Sequence, residues 1–109
     1  MAAVKATFSY LRRAERLLSE AERQRLHHFL AERPDAGDIV AGTGGVRKLR
    51  WALPGQGKRG GARVLQLYLS HRDTVWLLDI YAKRAKLDLS AEDVKAIRRA
   101  VATIKEAER

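Results

Sequence analysis

VRKLRWALPGQGKRGGARVLQLYLSHRDTVWLLDIYA, residues 46–82, is the stretch on which the fold turns. From Val46 to Ala52 the side chains alternate: Val46, Lys48, Arg50 and Ala52 fall on one side, Arg47, Leu49, Trp51 and Leu53 on the other. That period of two is a strand signature. The turn-forming PGQGKRGG follows, after which ARVLQLYLS reads as a second strand and TVWLLDIYA, almost continuously apolar, as a buried third. The linker HRDT is far too short for a crossover, so these two strands are expected to run antiparallel.

Helices are expected before and after these strands in the sequence. SEAE, Ser19 to Glu22, has the spacing of a capping box, and Leu18, Ala21, Leu26, Phe29 and Leu30 fall near one face of a helix ending at Arg33, before Pro34. A shorter helix is expected over Tyr10–Leu17 and a first strand over Val4–Phe8, with PDAGD as a polar turn before the sheet. At the other end Ser90 can cap a helix whose Val94, Ile97, Val101 and Ile104 form an apolar stripe, suited to dock on the sheet or on a partner. The layout is one α+β domain over residues 1–109, without an internal repeat or a linker.

The charge is unevenly placed. Lys and Arg number 22 against 13 Asp and Glu, a formal charge of +9, which favours polyanionic partners, nucleic acid before membrane. No acid occurs between Asp38 and Asp73, whereas Arg47, Lys48, Arg50, Lys58, Arg59, Arg63 and Arg72 do. The absence of cysteine excludes disulfides and thiolate chemistry and fits a reducing compartment. No apolar run approaches the roughly 18 residues of a membrane span, and the opening MAAVKATFSYLRR is unlike a signal peptide. A cytoplasmic protein is expected.

Several motifs have bland explanations. GQGKRG, Gly55 to Gly60, has dinucleotide-turn spacing, yet that turn needs a following helix, and here a strand is expected. Trp51 lies on the strand face opposite Lys48 and Arg50, where core packing is its default role and base stacking the lesser one. His27 and His28 are adjacent on a helix and point about 100° apart, unsuited to a paired acid and base. No metal or cofactor site is expected. The sharper constellation is Lys48 and Arg50 on one strand face with Arg63 opening the next strand, three cations that suit a phosphate. Lys83 and Arg84, at the end of the third strand, add to it. Crowding by arginines disfavours the protonated amine of Lys48 or Lys83, so either is expected to exchange protons near neutral pH.

In their order, GTGGVRKLRW, PGQGKRGGARV and LLDIYAKRAKLDLS resemble the HigB-like branch of the RelE/ParE toxin superfamily of bacterial toxin–antitoxin modules. The resemblance covers most of the chain. It implies N-terminal helices packed on one face of a small, twisted, mainly antiparallel sheet, a basic concave site on the other face, and a C-terminal helix. It further implies a metal-independent endoribonuclease that cuts messenger RNA on the ribosome by attack of a ribose 2′-hydroxyl on the adjacent phosphate. By position, Arg63, Lys48, Arg50 and Lys83 are its catalytic residues: Arg63 stabilises charge on phosphorus, and Lys48 or Lys83 is the base. Arg47, Lys58, Arg59, Arg84 and Trp51 then contact RNA, and the partner is a HigA-like helix-turn-helix antitoxin. The family's C-terminal tyrosine or histidine has no counterpart in KLDLS, which leaves the general acid open. Tyr81 is near, on a face that alternation alone does not decide. Two other readings stay open, a ParE-like gyrase inhibitor and a nucleic-acid-binding module without catalysis.

Overall fold

The computed structural model describes residues 1–109, the side chain of Lys58 excepted. The elements are β1 (Ala3–Ala6), α1 (Phe8–Leu17), α2 (Glu20–Glu32), β2 (Asp38–Ile39), β3 (Arg47–Leu53), α3 (Gly57–Gly60, one turn), β4 (Gly61–Leu69), β5 (Thr74–Ala82) and α4 (Ala91–Ala107). They form a mixed α+β fold with a five-stranded sheet ordered β1-β5-β4-β3-β2. All neighbours are antiparallel except β1 and β5, which pair in parallel.

The first strand is shorter than expected and ends at Ala6, because Thr7 caps α1: its hydroxyl accepts from the Tyr10 amide, and Phe8 already belongs to the helix. The expected capping box forms at Ser19 with Glu22, and the expected cap at Ser90 is completed into a second box by Asp93. The short strand β2 begins at Asp38, the last residue of the segment read as a turn. With two residues it is too brief to show alternation, and it exists because Asp38 and Ile39 pair with Lys48 and Arg47.

The sheet has two buried faces. On the first, α1 and α2 deliver Tyr10, Ala14, Leu18, Leu26 and Leu30 onto Val64, Val75, Leu77 and Ile80. On the second, α4 lays Val101 and Ile104 over Val46, Leu65, Leu67, Leu69 and Leu78. The stripe of α4 therefore docks on its own sheet. The GTGG loop admits it closely: Gly44 has φ 86°, and an added Cβ would stand 3.2 Å from Val101 Cγ1. Lys105 Nζ then donates to the Gly44 carbonyl at 2.7 Å.

One irregularity sets the orientation of β5. Leu65 pairs with Asp79 and Gln66 with Leu77, so Leu78 is an extra residue, a β-bulge. Upstream of it Val75 and Leu77 enter the first core; downstream the even-numbered Ile80 and Ala82 do so. Strict alternation would have buried Asp79 and Tyr81 beneath the helices. The bulge turns both to the second face, where Tyr81 stands opposite Arg63 and Asp79 meets Arg13 of α1 at 2.6 Å.

Candidate nucleic-acid interface

Because α4 covers only part of the second face, the rest is an open pocket of about 540 Å³. Lys48 and Arg50 enter it from β3, Arg63 from β4, and Lys83 from just beyond β5. Alternation brings the first two together, and register adds the third, since Arg50 and Arg63 are direct cross-strand partners. Like charges placed opposite one another destabilise a sheet. This pair persists because Arg63 is tied down from beneath: it is 5 % exposed, and its guanidinium donates to the carbonyls of Ala62 (3.1 Å) and Arg59 (3.0 Å). Lys83 is positioned by its backbone, whose amide donates to Gly61 at 2.9 Å.

The turn that presents Arg59 depends on Gly61. A Cβ there would collide with the carbonyl oxygens of Trp51 and Gly57. The GQGKRG segment thus closes into the one-turn α3 and passes at once into β4. A dinucleotide-binding turn would instead open a long helix, so that reading ends here.

Four residues expected at the RNA surface stand elsewhere or at its rim. Arg47 has the opposite parity to Lys48 and donates to the Gly37 carbonyl at 2.9 Å, holding the loop before β2. Trp51, half-buried on the first face, packs on Phe29 with ring centroids 5.6 Å apart. Both lie across the sheet from the pocket, as strand parity requires. Arg59 and Arg84 are exposed and do not line the pocket. The expectation for the Lys58 side chain falls outside the described residues.

The structure also brings in groups that sequence reasoning missed. Asp88, from the loop between β5 and α4, pairs with Lys48 at 3.1 Å, so the stretch without acids receives one from 40 residues away. Asp38, the cross-strand partner of Lys48, lines the same pocket. Tyr81, whose face alternation left undecided, is buried, and its hydroxyl has no hydrogen-bond partner among the described residues. Burial and then the charge of Asp88 push its pKa up, against the opposing pull of Arg63, so it remains a phenol at neutral pH. Among the described residues no cluster of three or more His or carboxylate side chains is placed to hold a metal ion, and no helix is long and apolar enough to cross a membrane.

Comparison with known proteins agrees with this architecture. The isolated RelE toxin of E. coli superposes with a TM-score of 0.56 at 14% identity, over 92% of this chain and 99% of that one. The toxin in the intact E. coli RelBE toxin–antitoxin complex gives 0.53 at 16%, over 75% and 96%. An arginine-substituted E. coli RelE in the free state gives 0.56 at 16%, over 80% and 90%. At such identities the likeness is one of fold. The family described as the RelE toxin of the RelE/RelB toxin–antitoxin system matches residues 6–109, nearly the whole chain. With that match over a sheet that displays four cations in one open pocket, the chain belongs to the RelE toxin family.

Proposed function

We propose that this protein is a ribosome-dependent messenger RNA endoribonuclease, of the HigB-like kind, acting in the cytoplasm and neutralised by a HigA-like helix-turn-helix antitoxin. The observation that carries the reading is the opposed pair Arg50 and Arg63, with Lys48 and Lys83 in the same pocket. Such an arrangement costs stability unless an anion occupies it. A phosphodiester fits, and the charge that builds on phosphorus as a 2′-oxygen attacks is the charge that pre-placed guanidinium groups stabilise best. Arg63, held on two backbone carbonyls, has little freedom to lose on binding. Lys48 and Lys83 flank the phosphate, and the exposed Arg84 follows the RNA backbone beyond the pocket.

Induced expression in a bacterial host, with transcript 5′ ends mapped, tests this. Wild-type protein is expected to produce cuts at codon-phased positions, and Arg63→Ala to abolish both cuts and growth arrest while retaining its fold and antitoxin binding. Growth arrest with intact transcripts would point to gyrase inhibition, and binding without cleavage to a non-catalytic module.

A further inference from the structure

The pocket's two acids are differently held. Asp38 has no hydrogen bond or ion pair among the described residues that ties its carboxylate in place. Asp88 is fixed through one oxygen only: Oδ1 accepts from Lys48 Nζ at 3.1 Å and from the Leu89 amide at 2.8 Å. Its Oδ2 has no partner among the described residues, on a side chain that lines the pocket and is 70% exposed. A lysine that donates to a carboxylate acts as a cation, so this pairing removes Lys48 from the role of proton acceptor and offers a carboxylate in its place.

Resting on the ribonuclease reading above, we infer that Asp88 Oδ2 accepts the proton of the attacking ribose 2′-hydroxyl, and that Lys48 holds Asp88 in position while contacting the scissile phosphate. In the step, the 2′-oxygen forms its bond to phosphorus as its proton passes to Oδ2, and the bond from phosphorus to the 5′-oxygen breaks. The leaving oxygen takes a proton from water, which reaches the open pocket, and Asp88 returns its proton to the hydroxide so formed. The products are a 2′,3′-cyclic phosphate and a 5′-hydroxyl. The Leu89 amide and then Lys48 hold the carboxyl below its ordinary range, so Asp88 is already ionised in mildly acidic solution.

Single-turnover cleavage of messenger RNA on programmed ribosomes tests the assignment. Asp88→Asn is expected to slow cleavage by about 100-fold or more, with ribosome affinity and melting temperature unchanged. Asp88→Glu, which keeps a carboxylate, should recover a large part of that loss. The wild-type rate should be flat between about pH 6 and 8, because the acceptor is ionised throughout. A wild-type rate climbing tenfold per pH unit would identify a lysine acceptor and overturn the proposal. So would undiminished cleavage by Asp88→Asn, which would make Asp88 a counter-ion that the substrate displaces. These two results leave the ribonuclease reading intact, whereas absence of cleavage by the wild type would overturn both.

Discussion

Trp51 and Lys48 sit on one strand three residues apart, and parity sends them to opposite faces, one to hold the fold and the other to the pocket. Trp51→Ala removes the ring that leans on Phe29. For a half-buried side chain a loss of about 2 kcal/mol is expected, visible as a lower melting temperature with the cleavage pattern retained. Loss of cleavage at an unchanged melting temperature would contradict this placement. Tyr10 and His27 supply a second test: the Tyr10 hydroxyl lies 3.0 Å from His27 Nε2, and burial first, then the Arg23 charge, lower the histidine's pKa. A depressed folded pKa means that the unfolded chain binds the proton more readily, so stability is lost as pH falls through the ordinary histidine range. His27→Gln should flatten that slope in thermal melts between about pH 5 and 7. Lys48, Arg50 and Arg63 were legible from alternation and order alone. Asp88 was not, because nothing local links an acid in KLDLS to a lysine on another strand.

The element with the most at stake is the start of α4, where the loop from β5 ends and the pocket begins. Ser90 accepts from the Asp93 amide, while the Asp93 carboxylate accepts from the Ser90 amide and pairs with Lys86 at 2.6 Å. Ser90→Ala should cost about 1 kcal/mol. Lys86, followed by the Ser90 amide, holds the Asp93 carboxyl down at about 2. Its contribution is therefore complete above the ordinary aspartate value and disappears as pH falls toward 2. Because Asp93 is partly exposed, the amount is on the order of 1 kcal/mol after solvent screening. Acid titration of Asp93→Asn should lack that component in far-ultraviolet circular dichroism. The capping box at Ser19 and the cap at Ser90 could be read from short windows, since their partners are sequence neighbours. The brief β2 and the parallel pairing of β1 could not, since both depend on residues brought in from afar.

For the molecule as a whole, a charge of +9 makes RNA affinity steeply salt-dependent. If four phosphates are neutralised in the pocket, the logarithm of affinity for single-stranded RNA should fall with the logarithm of salt at a slope of about −3. Replacing Arg50 with Ala should make that slope shallower by about 0.7, measurable by fluorescence anisotropy. The α+β architecture was readable from strand spacing and helix signals. The division of the second sheet face between α4 and the pocket was not, since the apolar stripe of α4 fits a sheet or a partner equally well. The bulge at Leu78 was equally hidden, because an extra residue in a continuous apolar run leaves no mark on the pattern. It makes β5 a strand with two reading frames, one for each half. Flattening the bulge with every residue kept would act within the folded chain as a frameshift acts on a gene: the residues after it would exchange inside for outside, setting Ile80 opposite Arg63 and Tyr81 under the helices, whereas deleting Leu78 itself would leave Tyr81 where it stands.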